Sequence, residues 1–177
     1  MPALIEEVKT TTTTPTPTGD LDISTKEIEA DAIIRKDVYW SMGAGLIPVP
    51  MLDLAGIAGV QLKMLKSLSD LYGISFSEHR AKNIIAALAG SVGTATLATG
   101  TIASMIKVIP GLGSLAGIAA LPIVAGGSTY AVGKIFVQHF ESGGTFLDFD
   151  PAKTRRYFAE QFKEGQKVAL ETKRTVK

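Results

Sequence analysis

The feature that most constrains this chain is the stretch from residue 83 to residue 133, in which Lys107 is the only charged residue. Lys107 and the Pro110-Gly111 pair that follows it predict a turn between two uncharged segments, residues 84–106 and 112–132. As helices these segments would be about 35 Å and about 32 Å long, against a hydrocarbon core of about 30 Å in a bilayer. The sequence therefore predicts a membrane helical hairpin, either spanning or re-entrant.

Small residues outnumber large aliphatic ones within this hairpin. Gly113 and Gly117 form a GxxxG motif, and Gly90 and Gly100 each belong to a row of small residues spaced every four positions. In a bilayer this spacing lets two helices approach closely. We predict that these four glycines pack helices together, within one hairpin or between the copies of a homo-oligomer. The alternative is a tight soluble core whose hydroxyl groups bond back to the backbone.

The chain as a whole divides into three regions. Residues 1–23 carry a run of threonines followed by Pro-Thr-Pro and have no apolar core, which predicts a disordered leader rather than a secretory signal. Residues 24–140 form a helical membrane-associated domain that includes the hairpin over residues 84–132. Residues 141–177 form a basic C-terminal helix region, in which Asp150 is the N-cap and Pro151 is the first residue of the helix.

Two helices are predicted ahead of the hairpin. The capping box Ser24-Thr-Lys-Glu27 begins the first, which ends near Met42. The second runs from about Pro50 to Tyr72 and is amphipathic, because its apolar and charged residues fall on opposite sides. Its apolar side comprises Ile57, Val60, Met64, Leu68 and Leu71. Asp53 falls on that apolar side in the first turn, where the helix dipole favours a carboxylate, so it is either a structural cap or a functional carboxylate.

The charges are unevenly distributed along the sequence. Residues 1–31 hold seven acids and two bases, whereas residues 151–177 hold eight bases and three acids. The basic excess of the C-terminal helix predicts contact with anionic lipid headgroups or, alternatively, a solvated helix face. Several cations flank the two ends of the hairpin, whereas its turn carries Lys107 alone. The positive-inside rule therefore predicts that both termini lie in the cytoplasm.

No catalytic apparatus is recognisable in the sequence. The chain has no cysteine, which excludes disulfides, thiolate metal sites and cysteine nucleophiles. His79 and His139, its two histidines, lack a second metal-ligating residue at helical spacing. Residues 127–134 have the outline of a phosphate-binding loop but depart from it at two required positions. The three acids of the basic helix argue against nucleic acid. We therefore expect a non-enzymatic protein with no cofactor, metal or nucleic-acid partner.

The segment Gly45-Leu-Ile-Pro-Val-Pro-Met-Leu-Asp53, followed by Gln61-Leu62 and by Leu71-Tyr-Gly73, resembles a bacterial domain of unknown function that occurs in YcjF-like inner-membrane proteins. The same domain is also found fused to, or encoded beside, Era-like GTPases. The resemblance covers residues 32–140 and implies an α-helical membrane-associated module with a GTPase connection. It brings no catalytic residues, and because this chain has no GTPase domain it implies a separate GTPase partner in trans.

These observations predict an all-α protein in which amphipathic helices flank a Gly/Ala-rich membrane hairpin. The leading hypothesis is a non-enzymatic bacterial inner-membrane protein that contacts lipid, self-associates and acts with a separate GTPase. The alternative is an amphitropic helical scaffold or pore-former that stays soluble until it is triggered to insert. An enzyme would require a polar constellation inside the bundle, and loss of a measured turnover in an Asp53→Asn variant would support that class.

Overall fold

The computed structural model describes residues 18–45, 52–98 and 115–175, with side chains over residues 25–45, 55–90 and 121–174. Within these ranges the chain forms five α-helices and no strand, which confirms the all-α prediction for this part of the chain. The helices are α1 (Thr18–Ala44), α2 (Leu52–Tyr72), α3 (Glu78–Ala98), α4 (Leu115–Glu141) and α5 (Pro151–Thr175).

The predicted ends of α1 and α2 and the start of α5 are close to the observed ones. α3 begins earlier than the predicted segment 84–106, at Glu78, and α4 continues past the predicted segment 112–132, to Glu141. α1 also begins earlier than predicted, inside the predicted leader 1–23. The helix begins at Thr18, ahead of the capping box at Ser24, because the acids Asp20 and Asp22 also suit a helix N-terminus. The predicted end of α2 is confirmed. Gly73 follows Tyr72 with φ of 68°, the left-handed conformation that glycine adopts without strain at a helix C-terminus.

α4 is the central helix of the bundle and packs against α1, α2 and α5. It runs antiparallel to α1 and to α5, and glycines allow the close approach. A Cβ atom at Gly133 would lie 2.6 Å from Cγ1 of Ile34 on α1, and one at Gly165 on α5 would lie 2.8 Å from the carbonyl oxygen of Gly127. α5 shares the same core, since Phe158 and Ala169 are fully buried.

Much of the predicted hairpin packs inside this bundle. Ile84, Ile85 and Leu88 of α3 are buried, as is most of α4 from Ala125 to Phe140. The part of α4 that precedes Lys134 is uncharged and is enclosed by other helices, and a helix that is apolar all round is typical of a protein core as well as of a membrane. None of the described helices combines the length and the hydropathy needed to cross a bilayer. The turn predicted around Lys107 lies outside the described residues.

The two ends of the bundle differ. The lower end, where α4 finishes and α5 begins, is filled by aromatic rings. Phe136 stacks on Phe149 with ring centroids 4.7 Å apart, and Phe76 meets Phe146 edge-on at 5.6 Å. The upper end is defined here as the end at which α1 and α5 finish and α2 and α4 begin. Both connections that lie outside the described residues, 46–51 and 99–114, join helices at the upper end.

Candidate functional site

Large apolar side chains are exposed around the upper end of the bundle. We call them the apolar belt: Tyr39, Trp40, Leu121, Val124 and Leu170. Trp40 is 59% exposed and Tyr39 is 50% exposed, on the outer side of α1. Their rings meet edge-on with centroids 6.4 Å apart. Two further exposed apolar side chains, Ile28 and Leu147, lie in the lower part of the molecule.

Close helix contacts place the members of the apolar belt at a common level. A Cβ atom at Gly45, at the end of α1, would lie 3.2 Å from the carbonyl oxygen of Leu121. One at Gly126 would lie 2.9 Å from Cγ of Met42 on α1 and 3.0 Å from Cβ of Ala169 on α5. Each belt residue is therefore within about two helical turns of these contacts, and the belt lies on α1, α4 and α5 close to the upper end of the bundle.

The sequence beside the apolar belt is also apolar. Residues 46–51 read Leu-Ile-Pro-Val-Pro-Met, and residues 99–114 contain Lys107 as their one charge. The last turn of α5, at the same end, carries Lys173 and Arg174, both exposed. The upper end thus combines exposed aromatic and aliphatic side chains, two apolar connections and a pair of cations, which is the composition that suits a membrane–water interface.

A second candidate site is buried where α1, α2 and α4 meet. We call it the polar cluster: Asp37, Ser41, Gln61, Ser128 and Thr129. The hydroxyl groups of Ser41 and Thr129 are hydrogen bonded at 2.6 Å. Nε2 of Gln61 donates to Oγ of Ser128 at 3.1 Å and to Oγ1 of Thr129 at 3.3 Å. These bonds join three helices through side chains that are nearly all fully buried.

Asp37 is the unusual member of the polar cluster, because its carboxylate is fully buried and neither oxygen has a hydrogen-bond partner among the described residues. Nζ of Lys63, on α2, lies 3.6 Å from Oδ1 of Asp37. The Lys63 side chain is mostly exposed, so water screens much of this attraction. A buried carboxylate with so little compensation destabilises the packing of α1 against α2 and α4.

The third polar feature is a surface cleft of about 360 Å³ between α1, α4 and the start of α5. In it Nζ of Lys134 lies 2.9 Å from Oδ1 of Asp31, and Nε of Arg35 lies 2.7 Å from Oδ2. Burial raises the pKa of Asp31, but the hydrogen bonds and charges of Arg35 and Lys134 outweigh burial and hold that pKa below its ordinary value. At the edge of the cleft Tyr72 donates to Glu141 at 2.7 Å. The charges of this cleft thus tie helices together.

The sequence-predicted site residues are only partly described. Asp53 is the second residue of α2, and its side chain lies outside the described side chains, as do the surroundings of Gly117 in α4. Gly100 and Gly113 lie outside the described residues. Gly90 is exposed on α3, and a Cβ atom there would meet nothing within 4 Å among the described atoms. The packing role of these four glycines therefore stays a prediction.

Other residues proved more important than the sequence indicated. The phosphate-loop-like segment 127–134 lies inside α4, where its glycines serve helix packing. The sequence indicated Asp53 as the candidate functional carboxylate, whereas the acid that is buried among the described side chains is Asp37 in α1. The available signal was its position between Ile34 and Ser41, three and four residues apart on one helix face.

Comparison with known proteins identifies the family. The profile described as "Domain of unknown function (DUF697)" matches residues 23–167, from α1 into α5. The chain is also 36% identical over 148 residues to Magnetosome membrane protein 22 of Magnetospirillum gryphiswaldense, and these residues cover 84% of this chain and 76% of that protein. No solved structure matches the chain. The family match confirms the resemblance to a domain of unknown function.

Proposed function

The chain belongs to the DUF697 family of unknown function, and from that premise we propose that it is a non-enzymatic, membrane-associated helical scaffold that attaches to the bilayer by its upper end. The single observation that carries this proposal is the apolar belt at the end of the bundle to which both apolar connections run. The name of the 36% identical relative, a magnetosome membrane protein, supports a membrane location for this chain as well.

Insertion in this proposal is limited to the segment nearest the upper end. Ile84, Ile85 and Leu88 pack in the core, so drawing the whole predicted hairpin into lipid would uncover their partners. Exposing one large apolar side chain of the core to water would cost about 1.5–3 kcal/mol of free energy. We therefore place the membrane-inserting part between Ala89 and Val124, with the bundle below it intact. This combines the predicted hairpin with the alternative of an amphitropic scaffold.

The burial and the pairing of the polar groups favour a scaffold over an enzyme. The polar cluster is buried beneath packed helices, and in the surface cleft Asp31 is paired with Lys134 while Glu141 accepts a hydrogen bond from Tyr72. Neither arrangement leaves a nucleophile and a base side by side at an open surface, the geometry that catalysis by side chains requires. Two groups belong to neither site: Asp53, whose side chain lies outside the described ones, and the surface pair of His139 and Asp148, whose Nε2 and Oδ2 atoms are 3.7 Å apart.

The finer parts of the proposal rest on the family resemblance and on the charge pattern. A separate GTPase acting in trans is proposed from the association of this domain with Era-like GTPases. The bacterial inner membrane, with both termini in the cytoplasm, is proposed from the resemblance and from the cations that flank the hairpin. Self-association is proposed through the small-residue faces that include Gly113 and Gly117. Replacing both glycines with leucine should then reduce the oligomer size in detergent.

Fractionation tests the proposed function. The full chain, expressed in a bacterial host, should sediment with the membranes. Retention after a wash with alkaline carbonate would indicate insertion, and release would indicate peripheral attachment; both agree with a membrane scaffold. Recovery of the whole population in the soluble fraction, with no recruitment to added vesicles, would contradict it.

A further inference from the structure

The apolar belt carries an inference about how the bundle is oriented on the membrane. We propose that the belt lies at the headgroup level of an anionic bilayer, with Trp40 and Tyr39 as interfacial anchors and the lower end facing away from the lipid. This rests on the proposed membrane association and adds its orientation, its depth and its lipid class.

The chemistry of the belt suits an interface better than it suits hydrocarbon or water. Tryptophan and tyrosine combine an apolar ring with one polar group and concentrate at the headgroup level of membranes. Trp40 and Tyr39 are both exposed on the outer side of α1, and the rest of the belt is aliphatic: Leu121, Val124 and Leu170. A bilayer surface can contact residues on several sides of a bundle at one level, and this belt is spread over α1, α4 and α5.

The chain on either side of the belt indicates which direction the lipid lies. The connections 46–51 and 99–114, which join helices at the upper end, together carry one charge. Below the apolar belt α1 presents the ion pair of Asp31 with Arg35. Lys173 and Arg174, in the last turn of α5, stand where phosphate headgroups would be. Each such cation near an anionic surface strengthens binding about fivefold.

The experiment uses the one tryptophan of the chain, Trp40, as a native fluorescent probe. The purified full chain is mixed with vesicles of phosphatidylcholine and phosphatidylglycerol, and binding is measured by cosedimentation. Trp40 emission is recorded with lipids brominated near the headgroup or deep in the acyl chain. We expect a blue shift on binding and stronger quenching by the shallow bromine. Vesicles without phosphatidylglycerol should bind more weakly.

Two surface variants provide a matched comparison. Val124→Ser removes an exposed apolar side chain from the belt and should weaken vesicle binding about tenfold. Leu147→Ser removes one that is 70% exposed at the lower end and should leave binding unchanged. Because both side chains are exposed, neither change disturbs the core. The double variant Lys173→Gln/Arg174→Gln should weaken binding to anionic vesicles only.

The outcomes separate the orientation from the proposed function. If the protein cosediments while Trp40 is unquenched and Val124→Ser binds normally, membrane association stands, but the proposal that the belt contacts the lipid is wrong. If the protein does not cosediment with any vesicle, both fail. If Trp40 emission instead shifts with protein concentration in the absence of lipid, a second copy of the chain covers the belt, and the lipid-facing proposal is overturned.

Discussion

A close helix contact between α4 and α5, at Gly165, makes a quantitative prediction for Gly165→Ala. The added Cβ atom would lie 2.6 Å from Cβ of Tyr130, 2.8 Å from the carbonyl oxygen of Gly127 and 3.0 Å from its Cα. Ordinary contacts between carbon atoms are about 3.5–4.0 Å long. Two of the three neighbouring atoms are backbone, so the helices must move apart to relieve the overlap.

The magnitude follows from two opposing effects. Alanine in place of glycine inside a helix stabilises it by about 1 kcal/mol. Overpacking costs about 1–3 kcal/mol and occasionally more, and rigid backbone neighbours favour the upper part of that range. We expect Gly165→Ala to lower the free energy of unfolding by about 2 kcal/mol, which for a chain of this size lowers Tm by about 4–8 °C.

Gly59→Ala is the matched control, because Gly59 is an exposed glycine within α2 whose Cβ atom would meet nothing within 4 Å among the described atoms. At Gly59 only the higher helix propensity of alanine over glycine acts, so Tm should rise by about 2–4 °C. Thermal unfolding followed by circular dichroism measures both variants. Shifts in the same direction, or a stabilising Gly165→Ala, would refute the close packing of α4 against α5.

Three further predictions follow from the polar groups. Asp37→Asn should raise the free energy of unfolding by about 1 kcal/mol in a denaturant titration, because it removes a buried charge that lacks hydrogen-bond partners. Lys63→Met should lower it by about 1 kcal/mol, and by less in the Asp37→Asn background, because it leaves the Asp37 carboxylate without its counter-ion. Asp31→Asn should cost about 1 kcal/mol at pH 7. The folded pKa of Asp31 is depressed, so its contribution is present above the unfolded pKa of about 3.9 and is lost as the pH falls through the folded pKa. Melts of that variant and the parent should therefore converge at acid pH, once the pH is below the folded pKa of Asp31; a constant difference would contradict the ion pair.

The fold was predictable where periodicity and helix-end residues act locally. The all-α class, the end of α2 at Gly73 and the burial of Met64 and Leu68 on its apolar side all follow from such signals, and the structure confirms them. Local signals of this kind could not predict whether the uncharged stretch is enclosed by other helices or by lipid. A helix enclosed by other helices and a helix enclosed by lipid both lack charge, and only the tertiary contacts of α4 distinguish them.

The candidate site consists of other residues than those that the sequence indicated, and its contact with a membrane stays a proposal. Uncharged sequence and cations indicated a membrane contact, and the belt consists of other side chains than the glycines chosen from their spacing. Trp40 is exposed because it lies on the outer side of α1, a position that depends on where α2 and α4 pack. Asp37 was missed because its burial depends on two helices that are distant in sequence.

The absence of cysteine allows the most direct test of attachment by the upper end. Single cysteines at Val124 and at Leu147 are placed in the full chain, and their labelling by a membrane-impermeant maleimide is compared with and without anionic vesicles. Both side chains are exposed in the bundle, so both sites should label in solution. Vesicles should protect the cysteine at position 124 and leave the one at position 147 reactive. Equal labelling of the two sites on the vesicles, or protection of position 147 alone, would contradict it.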